Sequence, residues 1–283
     1  MYKAPITRLH PTAFIVLIDR SGSMSEEIVF ADQAMPKSHA VAIAANSFID
    51  ELLYRAHRAG EVYDYYDIAV LGYSGDGVSS LISPVGEFTR PSRLAVSNVR
   101  KERLSRERLL PDGRSVVTVT EQNMWIEPEA TGATPMRAAM GEALTLLEKW
   151  CRRTDNRASY PPTVLNITDG EASDGGDDDI REIARRIRST GTEDGGTLLV
   201  NIHLGRMEET VSVAFPTQPD QLPAHRYARL LWDISSEMPA SYHDFVTEMR
   251  GETCGTPRGM SFNCPLSDVV AMMNIGSINS LML

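Results

Sequence analysis

Asp19, Ser21 and Ser23 occupy alternate positions in Asp-Arg-Ser-Gly-Ser, immediately after the apolar run at residues 13–18. One carboxylate and two hydroxyls at that spacing present hard oxygen donors on one side of an extended turn, and Gly22 lets the backbone bend between them. Mg²⁺ takes six oxygens in near-octahedral geometry and keeps water wherever the protein supplies no ligand. The segment therefore reads as half of a divalent-cation site. Thr134, within Thr-Gly-Ala-Thr-Pro-Met, can add a third hydroxyl, and Asp169, within Ile-Thr-Asp-Gly-Glu, a second carboxylate, directly or through water. Because hydroxyls are neutral, only two carboxylates offset the 2+ charge. The ion stays electrophilic and can accept a carboxylate from outside. Mg²⁺, Mn²⁺ and Ca²⁺ all suit such donors.

These donors need elements to position them. Residues 13–18 (Ala-Phe-Ile-Val-Leu-Ile) read as a strand buried on both faces of a parallel sheet. After a polar loop, Val41, Ala44, Ala45, Phe48, Ile49, Leu52 and Leu53 predict a helix over 38–59, with Ser38 as N-cap and Gly60 as stop. A strand at 67–73 turns through Ser74-Gly75-Asp76-Gly77 into a short strand at 78–82, antiparallel because so few residues cannot make a parallel crossover. Residues 83–129 read as an insertion on the rim. It holds a basic helical or irregular piece at 93–108, a Pro111-Asp112-Gly113 turn and a β-like stretch at 115–120.

Alternation then resumes: helix 134–151, strand 163–168, helix 177–189, strand 197–204, helix 225–237, strand 260–264 and helix 266–275. This pattern predicts a doubly wound α/β fold, a mainly parallel six-stranded sheet with one antiparallel strand. Residues 1–12 are a lead-in and 13–283 one domain. In such sheets ligands bind beyond the carboxyl ends of strands, where strand order reverses. Asp19 and Asp169 leave their strands at that edge, and Thr134 precedes a helix starting nearby.

The composition is that of a soluble globular chain, with 28 basic against 38 acidic residues and a net charge of -10. That balance argues against nucleic acid or an anionic membrane as the main partner. Residues 1–11 lack the apolar core of a signal peptide and no apolar run approaches a membrane span, so a cytoplasmic location is expected. Cys151, Cys254 and Cys264 form no zinc or disulfide pattern and are expected as reduced thiols. The acids at 174–179 lack EF-hand spacing and suit a helix's first turn, though Glu171 and Asp174 lie close enough to affect the metal or its partner. His203, inside an apolar strand, is expected as a hydrogen-bonded core residue. Met272, Met273, Met282 and Leu283 are expected as core packing with a frayed end.

Taken together, Asp-x-Ser-x-Ser after a strand, Thr-Gly-Ala-Thr-Pro-Met opening a helix and Ile-Thr-Asp-Gly-Glu after another strand resemble the von Willebrand factor A family. The order of elements is similar from about residue 13 to about 275. The strand and helix that close the chain look like bacterial stand-alone members, among them the tellurite-resistance type. The resemblance implies the Rossmann-like fold of that family. It also implies a metal-ion-dependent adhesion site whose ligands fall on Asp19, Ser21, Ser23, Thr134 and Asp169. The implied activity is not enzymatic. It is an adaptor or scaffold that binds a partner's Asp or Glu through the cation, in a bacterial multi-protein stress-response or defence system with kinases, phosphatases or AAA+ ATPases. The alternative is a metal-dependent phosphohydrolase with Asp19 as nucleophile. Enzymes of the haloacid dehalogenase type want a second acid two residues on, where this chain has Ser21, and no convincing lysine-bearing phosphate loop follows.

Overall fold

Thr12–Asp19 (β1) lies centrally in a seven-stranded sheet, flanked on one side by Tyr66–Ser74 (β2) and then Gly77–Ser80 (β3). On its other side follow Thr163–Thr168 (β4), Leu198–His203 (β5), Met260–Phe262 (β7) and, at the far edge, Val213–Ala214 (β6). The computed structural model describes residues 1–30, 33–75, 77–109, 115–205, 211–251 and 255–274. β1 pairs in parallel with both neighbours, and only the edge strands β3 and β6 run antiparallel. The six expected strands are all present, and β6 is a two-residue addition.

Alternation along β1 divides the core. Phe14, Val16 and Ile18 join one apolar cluster and Ile15 and Leu17 the other, as the two-residue period of a doubly covered strand requires. Lys37–Ala56 (α1) and Leu266–Met273 (α7) pack on the first face. Met136–Cys151 (α3), Asp177–Ser189 (α4) and Arg226–Ile234 (α5) pack on the second. In α3, Met136, Ala139, Met140, Ala143, Leu144 and Leu147 recur at helical spacing and are all buried, so this one stripe seats the helix. Met272 and Met273 are buried as expected, while Met282 and Leu283 lie outside the described residues.

Several local expectations are corrected. α1 starts one residue before Ser38, after Pro36, and ends at Ala56. Ser38 is therefore inside the helix and caps nothing. Gly60 serves instead the turn of a small hairpin in which His57–Arg58 pairs with Glu61–Val62, its φ of 87° suiting that turn. The polar loop after β1 contains a hairpin, Glu27–Phe30 with Gln33–Pro36. The basic piece at 93–108 is mostly strand. After the short helix Pro91–Ala95 (α2), Arg100–Leu109 pairs antiparallel with Ser115–Met124. Charged residues run consecutively there, at 100–103 and 106–108, so no apolar alternation marks the strand. The turn at Pro111-Asp112-Gly113 lies outside the described residues. A further helix, His243–Arg250 (α6), follows α5; its single buried residue, Val246, leaves too weak a stripe to read from sequence.

The ribbon changes α1 as well. Ile43 and Asn46, off the helix's main stripe, are buried too, because Gln122 and Met124 at the ribbon's base lie against them. Gln122 Nε2 donates to the Ile43 carbonyl at 3.0 Å. The lead-in is also tied down: the Lys3 and Ala4 amides donate to Asp194 Oδ2 at 2.7 and 2.8 Å.

Candidate metal centre

β1 and β4 are adjacent, yet the chain leaving β1 goes to α1 on one face and the chain leaving β4 goes to α4 on the other. This is the switch point of a doubly wound sheet, where the loops diverge and leave a crevice. Asp19 ends β1 and Asp169 follows β4 directly.

The side chains form one connected set. Ser21 and Ser23 hydroxyls lie 3.1 Å apart, and Ser23 Oγ donates to Asp169 Oδ1 at 2.7 Å. The Ser21 amide donates to Asp19 Oδ1 at 2.9 Å, and Thr168 Oγ1 donates to Asp19 Oδ2 at 2.9 Å. Asp19 is completely buried. Burial pushes its carboxyl above the ordinary range; the hydrogen bonds from Ser21 counter this, and the Asp169 charge adds to it. An ionised group kept so dry gains most from a cation beside it.

The loop at 131–134 is bound to the first by its backbone. The Gly22 amide donates to the Gly132 carbonyl at 2.9 Å and the Thr131 amide to the Arg20 carbonyl at 2.8 Å. Ser173, just beyond β4, receives the Thr134 amide at 3.0 Å and donates its own amide to the Thr134 carbonyl at 2.9 Å. Thr134 is thus clamped between the other two segments. Asp174 contributes by capping α3, accepting the Arg137 and Ala138 amides at 2.9 and 2.8 Å. The acids of 177–179 lie in the first turn of α4 as expected, and Asp177 pairs with Arg226.

Gly132 has a φ of 70°, and a Cβ there would meet Gly75 Cα at 2.5 Å. Gly132→Ala should therefore push the 131–134 loop off both Gly22 and Gly75. Destabilisation of about 1–3 kcal/mol together with loss of Mg²⁺-dependent stabilisation is expected in melts with and without the cation.

Sequence reasoning missed five participants. Thr168 orients Asp19, and Tyr227 in turn donates to Thr168 Oγ1 at 3.2 Å. Ser173 clamps Thr134. Lys37 and Glu26 form an ion pair that reaches Asp169. Thr168 adjoins Asp169 in sequence and could have been suspected; Lys37 carries no such signal. His203 lies beside these groups, stacked on Phe262 with ring centroids 4.3 Å apart. Burial, aided by the Lys37 charge, pushes it down to about 3, so it is a core residue as expected, although its buried Nδ1 has no hydrogen-bond partner among the described residues.

The donor types suit a hard cation. The structure joins Ser21, Ser23 and Asp169 directly and sets Asp19 beside them, whereas Thr134 is tied in through its backbone only. Among the described residues no group of three or more His, Cys, Asp or Glu offers a competing site. Cys151 and Cys264 are free thiols; Cys254 lies outside the described residues. No helix among the described residues is long and apolar enough to cross a membrane.

No protein-family profile matches the chain, and no curated protein does either. Solved structures with a similar chain course include a von Willebrand factor type A protein from Catenulispora acidiphila, 15% identical, with a TM-score of 0.44, matched over 85% of this chain and 42% of that one. Another is the vWF domain of the type V pili tip protein Mfa5 from Porphyromonas gingivalis, 14% identical, TM-score 0.33, over 58% of this chain and 39% of that one. This chain thus spans less than half the length of either. Likeness at this level assigns neither family nor site, and the reading of the crevice rests on its own geometry.

Proposed function

We propose that the chain is a protein-binding module of the von Willebrand factor A type. Its crevice holds Mg²⁺, or Mn²⁺ or Ca²⁺, on Asp19, Ser21, Ser23, Thr134 and Asp169, and the cation accepts an Asp or Glu from a partner protein. The observation that carries this reading is the Ser21–Ser23–Asp169 hydrogen-bond chain, which joins residues 146 positions apart at the sheet's switch point. Hydroxyl donors leave the bound ion underneutralised, so a partner carboxylate completes both its charge and its coordination.

An adaptor in a bacterial multi-protein stress-response or defence system, working with a kinase, phosphatase or AAA+ ATPase in the cytoplasm, is the setting that the sequence resemblance suggests. We assign no catalysis. Both Asp19 oxygens are engaged by Ser21 and Thr168 in a fully buried position, which suits a carboxylate that orients a loop and offsets charge rather than one that attacks phosphorus.

Titration calorimetry with Mg²⁺ and Mn²⁺ tests the site: the wild type binds one ion, and Thr134→Ala weakens binding about tenfold or more, since even residues that only orient a metal's ligands contribute about 10–100-fold to affinity. No binding of any of the three cations would overturn the reading. For the adaptor role, EDTA should release a partner captured from native lysate, and retention in EDTA would count against metal bridging.

A further inference from the structure

Lys37 is the first residue of α1, and its side chain is 1% exposed. An ammonium there is costly twice over: it is taken out of water, and it sits at the positive end of the helix dipole. Asp169 Oδ2 and Glu26 Oε2, each 2.9 Å from Nζ, hold it in place. The hairpin Glu27–Phe30/Gln33–Pro36 brings Glu26 and Lys37 side by side, with the Lys37 amide donating to the Glu26 carbonyl at 2.9 Å. That hairpin delivers a positive charge to one of the two carboxylates of the candidate metal centre. Asp169 is left divided, one oxygen on the Ser23 hydroxyl and the other on Lys37.

Buried ion pairs contribute little net stability, because desolvation offsets their attraction. Packing alone is therefore a poor reason for this one, whereas its charge acts directly on any cation in the crevice. We infer that Lys37 is a tethered counter-cation that shares Asp169 with the bound metal, lowering the site's intrinsic affinity. Retention of the metal then depends on the negative charge that a partner carboxylate adds, which makes cation and acidic partner bind cooperatively, each strengthening the other. The inference rests on the metal-site reading above. It assigns to that site a control lying outside its five oxygen donors.

Two variants act in opposite directions. Lys37→Met removes the competing charge and should tighten Mn²⁺ binding about tenfold or more, while lowering the melting temperature of the cation-free protein because Asp169 and Glu26 lose their counter-charge. Glu26→Gln leaves the ammonium to Asp169 and should weaken Mn²⁺ binding about threefold. Calorimetry with Mn²⁺ alone on the wild type and both variants reads the result. A purely structural lysine would lower the melting temperature without tightening the site. Unchanged or weaker binding by Lys37→Met, or unchanged or tighter binding by Glu26→Gln, overturns the inference and leaves the metal site standing. Should Lys37→Met fail to fold, Glu26→Gln decides alone. If wild type and variants bind none of Mn²⁺, Mg²⁺ and Ca²⁺, the inference and the metal-site reading both fall.

Discussion

Asp19→Asn is expected to abolish divalent-cation binding and, at the same stroke, to raise the melting temperature of the cation-free protein. The two effects have one cause. Asp19 is fully buried, and burial pushes its carboxyl above the ordinary range. Its folded pKa thus exceeds its unfolded one, so the unfolded chain ionises first as pH rises. Stability present below the unfolded value of 3.8 is lost progressively as pH climbs to the folded value. An asparagine carries no such charge and removes that slope.

Asparagine also fits the hydrogen bonds. Its Oδ1 still accepts the Ser21 amide. Its Nδ2 can donate to Thr168 Oγ1 once that hydroxyl turns its proton to the Gly170 carbonyl, 3.2 Å away, and releases the Gly170 amide, the longer of the two bonds it now accepts. A gain of about 1 kcal/mol, or roughly 2–4 °C in Tm for a large domain, is expected at neutral pH. Cation binding should fall by a hundredfold or more, on the order of 3 kcal/mol, because one of two charges that offset the ion is gone. Differential scanning calorimetry with and without Mg²⁺ reads both. A variant that melts lower without the cation, or that still gains stability from it, would refute this account of Asp19. The wild type should, by the same logic, lose Mg²⁺ affinity on acidification before an ordinary aspartate would titrate.

Asn46→Ala is expected to cost about 3–5 kcal/mol, the largest effect of any polar substitution away from the site. Asn46 is fully buried on α1. Its Oδ1 accepts the Trp125 and Ile126 amides at 2.9 and 3.0 Å, and its Nδ2 donates to the Ile126 carbonyl at 2.9 Å. One side chain therefore satisfies three backbone groups where the chain leaves the ribbon. Alanine strands all three without water, and buried groups without partners carry their full desolvation cost. Urea unfolding followed by Trp fluorescence gives the magnitude. Proteolysis of the ribbon in the variant, with Mg²⁺ affinity retained, would localise the damage. A loss below about 1 kcal/mol would show that water replaces the amide.

The ribbon and the hairpin after β1 show where sequence reasoning runs short. Residues 100–109 carry five basic side chains in mixed order with acids and serine, a pattern without the apolar alternation that marks a half-buried strand. Their pairing with 115–124 is set by the partner strand and by α1 beneath its base, which no local window contains. Asn46 carries no local signal of its role for the same reason. Helix ends misled at Ser38, because Pro36 starts the helix earlier by fixing its own backbone, and at Gly60, which a hairpin uses instead.

What the sequence determined by itself was the scaffold and the donors. Continuous apolar strands, stripes at helical spacing and turns rich in Ser, Gly and Asp are local signals. They suffice for a doubly wound sheet with Asp19, Ser21, Ser23, Thr134 and Asp169 at one edge. The tertiary structure alone decided that Asp19, Ser21, Ser23 and Asp169 meet in a hydrogen-bonded set with the Thr134 backbone clamped beside it, that Asp19 is dry, and that Lys37 reaches Asp169 from 132 residues away. Charge and desolvation act through space, and the distances that set their strength exist only once the loops have been brought together.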